Sequence, residues 1–340
     1  MTVPFRTRRF FRRFGVFLLT LAVCACLIWL GWMVWLGRYV VYTREGVVLD
    51  FARPSTEISG QSAVAPAPGE TVSIYYNEGM EALGGGELAQ INGYYIETLD
   101  LKGDLTELRR KIAALPDDTP LLIEVKDIFG NFYYPSSIPD SPKAGDADVA
   151  AVGSLISDLA KGRRYLIASV PAFRDRYYGL NNTIYGIASS EGAYLYMDDE
   201  GCYWLDPSSS GTRSYLTGIV SELKSLGFDE VVFTDFCYPD TSYIAFDGDR
   251  TEAIAEAASF CMRTCSTEYF AVSFVSSDPS FAMPEGRGRL YLTNVSPAQL
   301  KRTVESTTVA DKLANLVLLT TLNDTRYDDY SVLRSIQGTS

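Results

Sequence analysis

The sequence contains no histidine among its 340 residues. This absence excludes catalytic triads that use an imidazole, zinc sites built on histidine, and histidine general bases. It also lacks a glycine-rich phosphate turn after the first predicted strand, which disfavours a nucleotide-binding fold. Any chemistry must therefore depend on carboxylates, tyrosine, lysine, serine, threonine or cysteine, and we expect neither a metal nor a cofactor.

The first 44 residues lack aspartate and glutamate altogether. Five arginines cluster within residues 6–13, and an almost uninterrupted apolar run follows from residue 15 to residue 36. About 20 apolar residues are enough to cross a bilayer as a helix. Because basic residues stay on the cytoplasmic side, the sequence predicts a cytoplasmic tail at 1–13 and a transmembrane helix at 14–36. The rest of the chain would then face outward from the plasma membrane.

Two other interpretations of this N-terminal segment exist. A cleaved signal peptide has an apolar core of about 7–15 residues and a cleavage site of small residues, and neither matches here. The short run at 23–26 (VCAC) resembles a lipoprotein cleavage site, but the apolar segment continues well past it. The pattern therefore favours an uncleaved signal-anchor that holds the protein in the lipid bilayer.

Basic residues are scarce in the rest of the chain. Beyond residue 44 the sequence holds 23 of the 30 Lys and Arg residues and all 42 Asp and Glu residues, a net charge of −19. Such a surface repels nucleic acid phosphates and anionic lipid headgroups. A neutral or cationic ligand is more compatible with it, although solubility alone would also account for the charge.

Four cysteines lie in the predicted outer domain. An environment outside the cytoplasm is often oxidising, which would permit disulfides. Two of them are four residues apart in a predicted helix and so share one face. No disulfide connectivity follows from the sequence, and the oxidation state stays open. The four are Cys202, Cys237, Cys261 and Cys265.

Residues 37–70 form a juxtamembrane segment and a linker, because small residues and prolines dominate their second half. From residue 71 to residue 340, strand patterns alternate with helical patterns, which indicates parallel strands joined by crossover helices. Strands are predicted at 72–76, 91–96, 121–125, 165–170, 230–233, 270–275, 290–293 and 316–321. Helices are predicted at 105–115, 148–159, 215–226, 252–262 and 300–304.

Two layouts fit this alternation, a (β/α)8 barrel and an open doubly wound sheet. Carboxylates follow several of the predicted strands, and a barrel gathers such strand ends at one face. We therefore predict an α/β fold of the TIM-barrel type. The last strands are difficult to count, so we expect the barrel to be incomplete or atypical at its C-terminal end.

Four segments in order resemble a bacterial family of glycoside hydrolase-like (β/α)8 barrels. They are LLIEVKDIFGNFYYPSSIP at 121–139, YLIASVPAFRD at 165–175, WLDPSSSGTRSYLTGIVSEL at 204–223 and LGFDEVVFTDFCYP at 226–239. The resemblance implies carbohydrate as the partner and glycoside hydrolysis as the activity. The last segment departs from the family pattern at three positions, because Thr234 stands where the family has Asp, Asp235 where it has Tyr, and Cys237 where it has Arg.

Glycoside hydrolysis requires two carboxyl groups across the scissile bond, one to protonate the leaving oxygen and one to attack or to activate water. On the resemblance, we expect Asp235 to be the nucleophile or base, and Glu124 or Asp127 to be the acid. A turn role is the alternative for Asp127, and a buried pair is the alternative for Glu124. Residues expected to bind or orient substrate are Lys126, Arg174, Asp175, Trp204, Asp206 and Tyr238.

Three functions remain open from the sequence. The first is a membrane-anchored glycosidase that acts on cell-wall or extracellular polysaccharide. The second is a catalytically inactive barrel that binds glycan or a cell-envelope partner, which the exchange at Thr234 and Cys237 would favour. The third is an assembly protein in which the anchor matters most. The glycan, the linkage and the oligomeric state do not follow from the sequence.

Overall fold

The computed structural model describes residues 40–43, 46–49, 87–139, 141–192 and 194–338. The chain forms two compact units, residues 1–73 and residues 74–340. In the first unit, Val40–Thr43 and Gly46–Leu49 pair as an antiparallel hairpin. The predicted transmembrane helix at 14–36 and the predicted strand at 72–76 lie outside the described residues. Within the described ranges, no helix is both long and apolar enough to cross a membrane.

The second unit is built on a closed barrel of eight parallel strands, which confirms the predicted fold type. Each strand pairs with the next one along the chain, and the last pairs with the first, with Val332 opposite Asn92. The strands are β1 Asn92–Ile96, β2 Leu121–Glu124, β3 Leu166–Pro171, β4 Glu230–Thr234, β5 Ala271–Ser276, β6 Leu290–Thr293, β7 Leu316–Thr320 and β8 Ser331–Ser335.

Helices connect most of these strands. They are α1 Thr98–Lys102, α2 Leu105–Ala113, α3 Val149–Ala160, α4 Arg176–Asn181, α5 Ser210–Ser225, α6 Arg250–Cys265 and α7 Leu300–Ser306. Short 3₁₀ turns cover Thr183–Tyr185, Thr325–Tyr327 and Ile336–Gly338. A small antiparallel pair, Ala188–Ser189 with Ile244–Ala245, joins the loops that follow β3 and β4.

Side-chain caps explain where several helices begin. Asp104 accepts a hydrogen bond from the Thr106 amide at 2.9 Å at the start of α2, and Asp148 accepts one from the Ala151 amide at 3.0 Å at the start of α3. Gly227 has φ +91° just after α5, a conformation that glycine adopts at little cost. The predicted start of α5 is five residues late, because its first turn is polar and small and carries no apolar periodicity.

The expectation of an incomplete barrel is wrong, but the C-terminal half is atypical. No α-helix connects β5 with β6, or β7 with β8, in the described part of the chain. Between β7 and β8 a 3₁₀ turn carries Tyr327, which is fully buried and donates a hydrogen bond of 2.6 Å to the Val295 carbonyl. The Tyr327 ring packs in a buried apolar cluster with residues of β6, β7 and β8.

The inside of the barrel is filled at its N-terminal end. Glu230, the first residue of β4, accepts hydrogen bonds from the hydroxyls of Tyr165 at 2.9 Å, Ser273 at 2.5 Å and Tyr291 at 2.8 Å, and it pairs with Arg289. Both charged side chains are fully buried, so the pair is compensated by hydrogen bonds inside the barrel.

A layer of apolar side chains also lies inside the barrel, contributed by alternate residues of the strands. The cluster consists of Ile91, Leu122, Tyr165, Ile167, Val232, Tyr291, Val317 and Leu333. Because this layer and the Glu230 network occupy the N-terminal part of the interior, space for a ligand remains at the C-terminal ends of the strands.

Candidate functional site

A cavity of about 510 Å³ lies at the C-terminal ends of the barrel strands. Ligand sites in such barrels form at this end, because the βα loops supply residues from many strands. The size is within the range that binds small ligands. Its lining comes from β1 to β7 and the residues that follow them, and its polar members are Tyr95, Glu97, Glu124, Ser169, Thr234, Thr293, Asn294, Ser296, Thr320 and Thr321.

Glu124 is the last residue of β2 and lines this cavity. One of its oxygens accepts a hydrogen bond of 3.0 Å from the Thr98 amide. Burial raises the pKa of this carboxyl group, and the nearby carboxylates Glu97, Asp100 and Asp235 raise it further. A carboxyl group in such surroundings keeps its proton closer to neutral pH, as a general acid must.

Asp235 follows directly after β4, and its backbone is left-handed with φ +49°. The Thr234 hydroxyl, which lines the cavity, donates a hydrogen bond of 3.0 Å to the Asp235 carboxylate. In a regular strand, neighbouring side chains point to opposite faces. The left-handed residue interrupts that alternation, and the Asp235 carboxylate contacts the Thr234 hydroxyl although Asp235 is not itself among the residues that line the cavity.

Burial raises the pKa of Asp235, while the Thr234 hydroxyl and the positive charges of Arg174 and Lys126 act in the opposite direction. The charges that act on Glu124 are all carboxylates. Asp198 adds to the raised pKa of Asp235, and the Thr98 amide lowers that of Glu124. The pKa of both carboxyl groups is raised, but cations act only on Asp235, and such a difference in surroundings can separate an acid from a base in one site.

Two non-glycine residues have positive φ in the part of the chain that the structure describes. Asp235 has φ +49° and Asn294 has φ +59°, and each directly follows a barrel strand. Asp and Asn tolerate this conformation better than other residues, yet it is uncommon, and strained backbone concentrates at functional sites. Both residues lie at the C-terminal end of the barrel, and Asn294 lines the cavity.

Glu97 was not among the predicted site residues, although it lines the same cavity as Glu124. It follows β1 directly and forms the N-cap of α1, where its amide donates a hydrogen bond of 3.0 Å to Asp100. Its position just after a predicted strand was the signal that could have identified it. The family motifs begin further along the chain and therefore drew no attention to it.

Asp127 does not line the cavity. Its carboxylate accepts hydrogen bonds from the Asn131 amide at 2.8 Å, the Asn131 side chain at 3.0 Å and the Tyr133 hydroxyl at 3.2 Å. Its carbonyl accepts from the Gly130 amide at 3.2 Å. These contacts match the turn role considered as its alternative, and an acid role for Asp127 remains a prediction without a cavity contact.

Lys126 and Asp175 form an ion pair of 2.7 Å, and both side chains are fully buried. The Tyr215 hydroxyl donates a hydrogen bond of 2.9 Å to Asp175, which also caps α4 through the Tyr178 amide at 2.8 Å. The pair thus ties the loop after β2 to the loop after β3 beneath the surface. Lys126 also contributes positive charge near Asp235.

Arg174 pairs with Asp198 at 2.6 Å and with Glu200 at 3.3 Å. The Trp204 indole also donates a hydrogen bond of 2.9 Å to Asp198, and the Arg174 guanidinium lies 5.8 Å from the indole ring. These contacts fix the base of the loop that follows β3. Arg174 therefore combines a structural role with a positive charge near Asp235.

Asp206 accepts hydrogen bonds from the Ser208 amide at 2.8 Å and the Ser208 hydroxyl at 2.7 Å, which is a turn arrangement. The Tyr238 ring packs 4.9 Å from Phe246 and 6.0 Å from the Arg250 guanidinium. In the described residues, the cavity at the barrel mouth is lined by none of the six predicted substrate-binding residues. Their contact with substrate remains a prediction.

Solved structures share the fold of this chain at low sequence identity. An exo-β-N-acetylglucosaminidase of glycoside hydrolase family 20 from Vibrio harveyi is 8% identical, with a TM-score of 0.52. The match covers 74% of this chain and 50% of the enzyme, so the chain spans half of its length. A hypothetical protein from Ruminiclostridium thermocellum is 19% identical with a TM-score of 0.46, over 54% of this chain and 96% of that one.

No functionally curated protein matches the sequence. A family model described as "Putative glycosyl hydrolase domain" matches residues 104–274, which is half of the chain. The matched region runs from α2 into β5 and includes Glu124 and Asp235. The cavity residues after β1, β6 and β7 lie outside it. The chain is a member of this glycosyl hydrolase family.

Proposed function

We propose that the barrel hydrolyses O-glycosidic bonds at its mouth, with Glu124 as the general acid and Asp235 as the nucleophile or base. The observation that carries this proposal is geometric: Glu124 ends β2 at the cavity, and Asp235 directly follows β4, where it contacts the cavity residue Thr234. Burial raises the pKa of both carboxyl groups; nearby carboxylates raise that of Glu124 further, whereas the Thr234 hydroxyl and two cations oppose the rise at Asp235.

In the proposed reaction, the Glu124 proton goes to the leaving glycosidic oxygen as the bond to the anomeric carbon breaks. The Asp235 carboxylate either removes a proton from the attacking water or bonds to that carbon itself; in the second case water then cleaves the glycosyl-enzyme bond and gives its proton to Glu124. The Thr234 hydroxyl holds Asp235 in place, and Glu97 keeps the proton on Glu124 by its negative charge. Neither step requires histidine.

The lining of the cavity supports a neutral or cationic sugar as substrate. Among the described residues, its wall includes two carboxylates and several hydroxyls but no lysine or arginine. The half-buried Tyr95 ring offers an apolar face of the kind on which sugar rings stack. The substrate class we propose is cell-wall or extracellular polysaccharide.

The proposed location rests on the N-terminal sequence. A helix at 14–36 would tether the barrel on the outer face of the plasma membrane, because the arginines that precede it stay in the cytoplasm. Protease added to spheroplasts should digest the C-terminal domain and leave the N-terminal tail protected. Digestion only after lysis would contradict the proposed orientation.

The activity is tested with the full-length chain in mild detergent, on a panel of aryl glycosides and cell-wall polysaccharides. Wild type is compared with Asp235→Asn and with the matched control Asp158→Asn, whose exposed carboxylate on α3 pairs with Arg109. We expect turnover by wild type and by the control, and its loss in Asp235→Asn. Equal activity of all three would remove Asp235 from the reaction.

A second candidate is an inactive barrel that binds glycan or a cell-envelope partner. It is favoured by Thr234 and Cys237, which stand where family members carry Asp and Arg. This candidate predicts that the wild-type protein is retained on an immobilised glycan and that no panel substrate is hydrolysed. Turnover that depends on Glu124 would exclude it.

A further inference from the structure

A second and larger cavity, of about 980 Å³, shares no lining residue with the cavity at the barrel mouth. It is formed by the long loop between β3 and α5, together with the loop between β4 and α6. Four tyrosine rings line it, Tyr194, Tyr196, Tyr203 and Tyr243. None of the residues assigned to catalysis or substrate binding contributes to this groove.

Backbone hydrogen bonds hold the groove in shape. The Ser189 amide donates to the Tyr194 carbonyl at 2.8 Å, and the Ser190 amide donates to the Tyr243 carbonyl at 2.9 Å. The two loops also pair directly, with Ser189 opposite Ile244. The positions of Tyr194 and Tyr243 are therefore fixed relative to each other before any ligand binds, which reduces the entropic cost of binding.

Three large side chains that line the groove are exposed. Tyr194 is 58% exposed, Tyr243 56% and Met197 54%. Scattered exposed apolar side chains need no explanation, but several that line one groove indicate a binding surface. Because the rings belong to tyrosine, each presents an apolar face together with a hydroxyl that forms hydrogen bonds.

Charge narrows the choice of ligand. Glu191 and Asp199 line the groove, and neither carboxylate forms an ion pair with another described residue. The described lining contains no lysine or arginine. Phosphate groups and acidic polymers would be repelled. Sugars are suited to this combination, because their C–H faces stack on rings and their hydroxyls donate hydrogen bonds to carboxylates.

We propose that this groove is a second carbohydrate-binding site, which holds a chain of neutral sugar units. Both loops that form it leave the barrel at the ends of β3 and β4, and β4 leads into Asp235. A polymer held in the groove would therefore lie on the same end of the barrel as the mouth. If the groove also delivers the polymer to the mouth, that role rests on the proposed glycosidase function. Binding in the groove does not require catalysis.

Retention on insoluble polysaccharide tests the proposal. The full-length protein carries Glu124→Gln so that hydrolysis cannot release it, and the probes are insoluble cellulose, xylan and chitin. We expect Tyr194→Ala/Tyr243→Ala to weaken retention on at least one probe by about tenfold or more, as loss of central aromatic contacts does at binding sites. Tyr194→Phe/Tyr243→Phe keeps the rings and should keep most of the retention.

The matched control is Tyr269→Ala. Tyr269 is 67% exposed and precedes β5, at the opposite end of the barrel from the mouth. The same loss in this control would overturn the proposal. The proposal is also overturned if the alanine pair is retained as well as the parent protein is. It fails as well if the parent is retained on none of the three probes, or on anionic alginate alone.

Kinetics separate this inference from the proposed function. In a chain with Glu124 intact, the alanine pair should leave turnover of a small aryl glycoside unchanged and lower kcat/KM on polymer. If wild type hydrolyses nothing but the tyrosine-dependent retention persists, the groove stands and the glycosidase proposal fails. If wild type hydrolyses its substrates normally but retention does not depend on the two tyrosines, the glycosidase proposal stands and the groove proposal fails.

Discussion

The Thr234 hydroxyl lies 3.0 Å from the Asp235 carboxylate, to which it donates a hydrogen bond. The contact is possible because Asp235 has φ +49° directly after the last residue of β4. A family position that normally carries Asp is thus occupied by a hydroxyl, and a carboxylate from the next residue lies against it. The pair places an ionisable group next to a residue that lines the cavity, even though the motif is shifted.

Asp235→Asn removes the proposed nucleophile or base while keeping its shape. We expect kcat to fall by about 10²–10⁴-fold, the usual contribution of a positioned proton-transfer group. Thr234→Val removes only the supporting hydroxyl and should cost far less. Steady-state kinetics on an aryl glycoside measure both. A larger loss in Thr234→Val than in Asp235→Asn would reverse the assignment.

Glu124→Gln removes the proposed general acid. We expect a large loss of kcat on glycosides with poor leaving groups, because these need a proton on the departing oxygen. The loss should be much smaller for a dinitrophenyl glycoside, whose leaving group departs without protonation. Comparing the two substrates measures the acid role, and equal losses on both would point to a role in binding or folding instead.

Glu97→Gln removes a negative charge that raises the pKa of Glu124, after burial itself. With that charge gone, Glu124 should lose its proton at lower pH. Because the proposed acid works only when protonated, the alkaline limb of the kcat/KM profile should move to lower pH. An unchanged profile, or a shift to higher pH, would show that Glu97 does not act on Glu124.

The buried pair of Lys126 and Asp175 predicts a stability effect. Lys126→Met leaves the Asp175 carboxylate uncompensated in the interior, and we expect the free energy of unfolding to fall by about 3–5 kcal/mol. Urea denaturation of the full-length chain measures this change. Asp175→Leu added to Lys126→Met should restore part of the loss, since no isolated charge then remains. Additive losses would argue against coupling between the two residues.

The free energy of unfolding should depend on pH because of Asp229. Burial raises its pKa to about 6, although it accepts a hydrogen bond of 2.8 Å from the Leu166 amide. The folded-state pKa exceeds the unfolded value, so the carboxyl group is neutral in both states at low pH and becomes a buried charge as pH rises towards 6 and beyond. The stability that the neutral carboxyl group contributes is therefore lost between the unfolded pKa of about 4 and the folded pKa of about 6.

Asp229→Asn keeps an acceptor for the Leu166 amide but never becomes charged. We expect it to be similar to wild type near pH 3.5, and more stable above pH 7 by about 1–3 kcal/mol. Thermal melts across this pH range give the comparison, with Asp328→Asn at an exposed ion pair as the control. A stability difference that shrinks as pH rises would contradict the expected destabilisation by the buried charge.

Most strands and helices were predictable from the sequence, because their signals are local. Apolar runs identified β2 to β7 within one or two residues, and aspartates marked the starts of α2 and α3. The eighth strand, Ser331–Ser335, was missed because polar residues interrupt its apolar pattern. Its identity depends on pairing with β1 and β7, which no local pattern records.

The site was less predictable than the fold. Glu124 and Asp235 were named on the family resemblance, but the same resemblance also named Asp127, whose carboxylate lies within a turn. The sequence also did not reveal that Lys126 and Asp175, predicted to bind or orient substrate, pair with each other in the interior. Burial and charge pairing depend on neighbours that are distant in sequence, such as Tyr215.

The sequence by itself determined that this chain has a barrel of the glycosyl hydrolase type, because periodicity, capping residues and ordered motifs are properties of short segments. It also determined the acidic charge and the absence of imidazole chemistry. Only the tertiary structure decided that Glu97 and Glu124 share a cavity, because that depends on closure of the barrel, which brings them together with residues after β6 and β7.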